Sequence, residues 1–243
     1  MSKIVLNIPH CSTNGIFDNV IGKWPRNYDF YNKFVRKLTD WHTDYLFSTH
    51  NENVTSVVFP YSRFVCDVER LDNDPMEEKG QGVLYEYMGS FERGELSLSA
   101  LKTLTDARFE HYNNIGKHLE NGSVLIDCHS FTQEHDDDPD ICIGFNDDDS
   151  FDMHLVNIIK NEFEKSGYKV KMNYPFSNSI TPVQMTDDFN YKSVMIEVNK
   201  RVYMDEDTLM LNNNPRQWMR WFGCLDRIYD SVCEYVDEKK KRI

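Results

Sequence analysis

Ser123-Val124-Leu125-Ile126-Asp127-Cys128-His129, written SVLIDCH, is an apolar run that ends on an acid and an imidazole. A short run of this kind, bounded by turn residues, reads as a buried strand. Before it, Leu101, Leu104, Phe109, Tyr112, Ile115 and Leu119 indicate a helix, stopped by Asn121-Gly122. A second run, KIVLNIP, starts almost at residue one and closes on Pro9. His10 therefore stands at the C-terminal edge of another strand, as His129 does of the first. VTSVVFP (Val54 to Pro60), DICIGF, YKVKMNYP and KSVMIEVNK read as further strands. FVCDV (Phe64 to Val68), which alternates about Asp67, is a candidate third strand in chain order.

Three further segments carry helical periodicity. In YDFYNKFVRKLTDWHTDYLFSTH, Phe30, Phe34, Leu38, Trp41, Tyr45 and Leu46 make one apolar face. DSFDMHLVNIIKNEFEKSG reads as an amphipathic helix stopped by Gly167. From Pro215 to about Lys240, Trp218, Trp221, Leu225, Ile228 and Val232 share a stripe. Residues 72 to 97 are rich in Asp, Glu, Gly and Asn and read as a long surface excursion. Strands alternating with helices imply an α/β fold with a mostly parallel sheet covered on both faces. No repeat or linker divides residues 1–243, so one domain is expected. Such sheets bind ligands beyond the C-terminal strand ends. His10, His129 and the end of MIEVNK share that edge.

Composition narrows the partners. The 243 residues carry 27 Lys plus Arg against 40 Asp plus Glu, a net charge of −13. That balance argues against a phosphate backbone or an anionic membrane, which need a positive surface. With 40% hydrophobic and 28% charged residues, the chain reads as globular. No apolar run approaches the ~20 residues of a membrane span. Six cysteines occur without a Cys-x-x-Cys pair, and no secretory leader is read at the N-terminus. Reduced thiols in the cytoplasm are the expectation.

The chemistry-bearing residues lie at that edge. Two histidines at separate strand ends supply two of the three protein ligands usual for zinc. Asp127 points to the same face as His129 and suits the role of a carboxylate that orients an imidazole. For a third ligand, Asp40 and Asp44 flank the turn DWHTD, with His42 between them, and Glu69 is a further candidate. Any of these also reads as an ordinary helix-surface polar group. Glu197, inside the apolar MIEV run, is costly unless paired, coordinated or protonated. Beside a metal it suits the general base that takes a proton from water. The alternative is plain alternation, with Met195, Glu197 and Asn199 facing solvent. Arg63 and Arg70 bracket the strand candidate, and a guanidinium fork matches a substrate carboxylate. Cys11 and Cys128 adjoin the two histidines, but neighbours on a strand face opposite ways, which turns Cys128 into the core.

The chain resembles the N-formylglutamate amidohydrolases, also called N-formylglutamate deformylases. These are relatives of the zinc carboxypeptidases and of the aspartoacylase/succinylglutamate desuccinylase enzymes. Seven segments carry the likeness in order: IPH at His10, TDWHTDYLF, YSRFVCDVER, KGQGVLY, DCHSF, DICIGF and IEVNKRVYMDE. The resemblance implies a three-layer α/β/α sandwich with a mixed, mostly parallel sheet. It implies one zinc ion on His10, Asp40 and His129, Glu197 as general base, and Arg63 and Arg70 on the substrate carboxylate. The substrate expected is a small N-acyl amino acid, with no nucleic acid or membrane partner. Two places depart from the family pattern. Glu69 stands where Asp-x-Asn-Arg has its Asn, and PFSNSITPVQM, through Asn178, Ser179 and Pro182, replaces a glycine pair and downstream arginine. These departures keep open another acyl amino acid or small amide as substrate, and a non-catalytic binding protein on the same scaffold.

Overall fold

The SVLIDCH run lies inside a six-stranded sheet. A computed structural model describes residues 3–71, 74–180 and 190–241. Its main strands are β1 (Ile4–Ile8), β2 (Val54–Val58), β3 (Tyr87–Met88), β4 (Phe91–Glu92), β5 (Val124–Phe131), β6 (Ile141–Gly144), β7 (Val170–Met172) and β8 (Lys192–Asn199). The sheet order is β2-β1-β5-β8-β6-β7. β5 runs parallel to β1 and β8, and β6 parallel to β7. The β6–β8 pair is antiparallel. The sheet is thus mixed and mostly parallel, in an α/β fold. Every residue of β1 and β5 is buried. Side chains alternate between faces, so both faces of these strands are covered.

The chain divides into two compact units. The first holds Met1–Ile8, His42–Val57 and Ile115–Ile243, and so contains the sheet. Its two long helices are α5 (Met153–Lys165) and α6 (Pro215–Lys240), counted after α1 (Tyr28–Phe30), α2 (Arg36–Leu38), α3 (Thr43–Leu46) and α4 (Leu98–Gly116). Asp152 caps α5 by accepting from His154 N at 2.8 Å. Gly167, at φ +81°, takes the left-handed conformation just past its end. α6 opens with Asn214 as its cap and Pro215 in its first turn, where a missing N–H costs nothing. Its stripe is buried from Trp221 onward, with Trp218 half-buried: Trp221, Leu225, Ile228 and Val232 are each at most 1% exposed. Trp221 also donates to Leu46 O at 2.7 Å.

The second unit holds Pro9–Trp41 and Val58–Asn114. Its centre is aromatic. Phe30 stacks on Trp24 at 4.9 Å and meets Phe64 and Phe91 edge-on at 5.6 and 5.4 Å. Two local expectations change here. The periodic stretch from Tyr28 is not one helix. It runs through α1, a π-helical turn (Tyr31–Val35) and α2, then breaks. Thr39 is extended (φ −83°, ψ 132°) and His42 is left-handed (φ +62°). FVCDV is a turn rather than a strand, because Cys66 N bonds back to Ser62 O and Asp67 Oδ1 accepts from Glu69 N. The acidic stretch after residue 72 is anchored from within. The buried Arg93 donates to the carbonyls of Gly22, Tyr85, Val65 and Ile21. Burial pulls its pKa down to about 10.

Among the described residues, no helix is long and apolar enough to cross a membrane. None of the six cysteines forms a disulfide.

Candidate functional site

The sheet register places the first group of residues. Asn7 of β1 is level with Asp127 of β5, and His129 of β5 is level with Glu197 of β8. Level residues on paired strands share a face, with Cβ atoms about 5 Å apart. His129 and Glu197 are therefore side by side near the C-terminal ends of parallel strands. Met195, Glu197 and Asn199 are 6%, 8% and 0% exposed, which removes the solvent-facing reading of that alternation.

Asp127 organises this group. Its Oδ1 accepts from Asn7 Nδ2 at 2.9 Å and lies 3.1 Å from His129 Nε2. Its Oδ2 accepts from the Ile180 N–H at 3.1 Å. Burial alone would push this carboxyl up, but the imidazole, the Ile180 N–H and Asn7 together hold it below the usual carboxylate range. With Nε2–H donating to Asp127, the His129 lone pair is on Nδ1, the tautomer a metal ligand needs. Cys128, fully buried, sends Sγ to the Ile126 carbonyl, away from that face.

The second group lies in the other unit. His10 follows β1 by two residues and is 2% exposed. Its Nε2 is 2.8 Å from Asp67 Oδ1, and its Nδ1 is 3.7 Å from Asp40 Oδ2. The helix break delivers Asp40 to this place, where its N–H donates to His10 O at 3.0 Å and its side chain is buried. Asp67 Oδ2 accepts from Tyr85 OH at 2.6 Å and from Arg63 Nη2 at 3.0 Å. Arg70 Nε stands 3.9 Å from the same oxygen, and Arg70 Nη1 is 3.6 Å from Asp74. Burial opposes the Asp67 charge, yet Arg63 and then His10 outweigh it and hold the carboxyl well below its ordinary range. Arg63 loses by burial but gains more from Tyr85, Asp67 and Asp40, and stays firmly charged. Burial pushes the Tyr85 hydroxyl up to about 12, so it serves Asp67 as a donor.

This geometry suits a cation between His10 and Asp40. Two donors each about 2.0–2.1 Å from a tetrahedral ion stand roughly 3.4 Å apart. The observed 3.7 Å is near that and too long for a hydrogen bond. With Nε2–H given to Asp67, the Nδ1 lone pair faces a carboxylate oxygen, an arrangement a cation relieves. Two of the other third-ligand candidates are placed differently. His42 Nε2 lies 3.0 Å from Leu209 O, and Asp44 is exposed. Of the departing segment, Asn178 and Ser179 are described and Pro182 lies outside the described residues.

The sequence pattern alone assigns no site role to Asp67, Tyr85 or Asn7. Asp67 carried a signal, being an acid within an apolar run flanked by arginines. Tyr85 and Asn7 carried none, since their partners are set by register and by a long loop.

A mixed sheet with an imidazole and a buried glutamate level at its strand ends is an α/β frame with a polar site at its C-terminal edge. The N-formylglutamate amidohydrolase family model matches residues 2–204, and the chain belongs to that family. No curated protein matches it. Among solved structures, an N-formylglutamate amidohydrolase from Ralstonia eutropha JMP134 is similar with a TM-score of 0.65 and 16% identity, over 100% of this chain and 95% of that one. A gene product from Agrobacterium tumefaciens is similar with a TM-score of 0.61 and 16% identity, over 95% and 92% of the two chains. Both likenesses speak for the fold.

Proposed function

We propose that the protein hydrolyses the C–N amide bond of an N-acyl amino acid, N-formylglutamate or a close analogue, with one zinc ion on His10, Asp40 and His129. The observation that carries this reading is the register that sets His129 level with Glu197 on parallel strands. β1 runs parallel beside β5, so the chain reaches His10 from the same edge of the sheet. The donor types, two imidazoles and a carboxylate, are those zinc takes in open hydrolytic sites. A zinc ion held by these residues would supply Lewis acidity toward the acyl oxygen and the attacking water.

Protein groups do the rest. Asp67 and Asp127 hold the two imidazoles in the tautomer that puts the lone pair on Nδ1. Glu197 takes a proton from the attacking water and returns it to the leaving amine nitrogen, so water adds across the C–N bond and a carboxylate and an amine leave. Arg70, with a quarter of its side chain exposed, offers its fork to the substrate carboxylate. Arg63, 18% exposed and held by Asp67, adds a second fixed positive charge. The chain passes between its two units after Ile8, Trp41, Val57 and Asn114, which supports one catalytic domain over 1–243. Six thiols without a disulfide suit the cytoplasm.

Glu69 favours a second reading. A carboxylate in place of the family's Asn repels an anionic substrate, which fits a binding protein with lost or altered turnover. Hydrolysis of N-formyl-L-glutamate and a panel of N-acyl amino acids separates the two. The enzyme reading expects turnover that falls by about 10²–10⁴-fold in Glu197→Gln. Full activity in Glu197→Gln sinks the assignment of the base, and metal binding without turnover on any panel member favours the second reading.

A further inference from the structure

Asp127 is held from two sides. Asn7 and His129 occupy Oδ1, and the Ile180 N–H occupies Oδ2. A backbone donor is only as well placed as the segment that carries it. Residues 178–180 belong to no helix or strand, so something else must fix them. Asn146, just beyond β6, does so with a two-point bond. Its Nδ2 donates to Ser179 O at 3.0 Å, and its Oδ1 accepts from Ser179 N at 3.0 Å. The pair reproduces the donor–acceptor exchange of a strand partner with a single side chain. Asn146 Nδ2 is itself held 3.1 Å from Ser150 Oγ. Ser193 of β8 closes the other side, accepting from Ser179 Oγ and donating to Ile180 O. Close approach is built in as well. A Cβ at Gly144 would stand 2.4 Å from Asn178 O, so only glycine admits the segment over the end of β6.

We propose that Asn146 is a positioning residue for the active site, clamping Ser179–Ile180 so that the Ile180 N–H fixes Asp127 and, through Asp127, the His129 ring. The chain of contacts runs from Asn146 to the Ser179 backbone, to Ile180 N–H, to Asp127 Oδ2, and from Oδ1 to His129 Nε2. This rests on the reading of His129 as a metal ligand. Partners that orient a ligand directly are worth about 10–100-fold in metal affinity, and one contact further out the expected effect is about 3–10-fold.

The test uses full-length protein and Zn2+ as the probe. Amide exchange on the metal-free protein reads the clamp. Competition with a chromophoric chelator reads Zn2+ affinity in wild type, Asn146→Ala, Asn146→Asp, Asp127→Asn and the Asn146→Ala/Asp127→Asn double variant. In Asn146→Ala the Ser179 and Ile180 amides exchange faster and Zn2+ binds about 3–10-fold more weakly. Asn146→Asp keeps the size and the acceptor but loses the donor to Ser179 O, so its affinity falls in the same direction even if the alanine variant folds poorly. The double variant binds no more weakly than Asp127→Asn alone, because the effect passes through Asp127. A purely structural role does not produce that coupling. Equal Zn2+ affinity in wild type and both Asn146 variants, or full additivity with Asp127→Asn, overturns the clamp. Wild-type protein that binds no Zn2+ overturns the metal reading and this inference with it.

Discussion

Asp67→Asn removes one negative charge from the most heavily bonded carboxylate of the candidate site. Asp67 is fully buried and receives His10 Nε2 and Glu69 N on one oxygen, and Arg63 Nη2 and Tyr85 OH on the other. An amide keeps a single acceptor oxygen, so one of these pairs must face an NH2 group. Breaking a buried ion pair from one side costs about 3–5 kcal/mol. Arg63 keeps 18% side-chain exposure, which places the expected loss near the lower end, about 3 kcal/mol. For a chain of 243 residues that lowers Tm by roughly 6–12 °C. The orientation of His10 is lost with it, so metal affinity falls by about 10–100-fold. Urea denaturation gives the first number and chelator competition the second. A variant within about 1 kcal/mol of wild type, binding metal equally well, refutes the account of how His10 is held.

The cap of α5 provides a pH test. Burial raises the Asp152 pKa, but Lys239, Tyr235 and the His154 N–H bring it down to about 2. A depressed pKa gives stability that is present above the unfolded value of about 3.9 and disappears as pH falls toward 2. Asp152→Ala is expected to lose about 1–2 kcal/mol at pH 7, much of it the helix cap, and nothing further below pH 2. Equal stability loss at both pH values contradicts this, with urea midpoints as the readout. Gly144→Ala forces a methyl against Asn178 O and Met195, and is expected to cost about 1–3 kcal/mol by denaturation. An unchanged midpoint shows that the segment is not packed there. Cys128→Ala leaves kcat on an N-acyl amino acid unchanged, since its Sγ turns to the Ile126 carbonyl, and Cys11→Ser does the same where activated water rather than a thiol attacks; loss of turnover in either, with folding intact, supports a thiol mechanism instead.

Much of this architecture was legible in the residues. SVLIDCH and KSVMIEVNK are apolar because they are interior strands covered on two faces, and that burial is what makes their ends detectable. The C-terminal helix was readable from Asn214-Pro215 and a stripe of three- and four-residue steps. The turn at Asp67 was not, because all five residues from Phe64 to Val68 are buried by a folded-back loop rather than by strand pairing. The break at Thr39 was hidden for a related reason. Apolar spacing continues from Phe30 to Leu46 across it, while the backbone departs to bring Asp40 against His10. The antiparallel β6–β8 pair depends on which way the chain returns, which no local period encodes. At the site, His10, His129 and Glu197 stood out because each interrupts or ends an apolar run. Tyr85, Asn146 and Ile180 act through contacts between distant segments, and Ile180 acts through its backbone alone.

The proposed function requires one metal ion on His10, Asp40 and His129. The direct measurement is metal content by mass spectrometry on protein purified without added chelator, for wild type and for His10→Ala, Asp40→Ala and His129→Ala. The expected result is one zinc per wild-type chain and near-complete loss in each variant that remains folded. A wild-type chain without metal, or variants that retain it in full, contradicts the account.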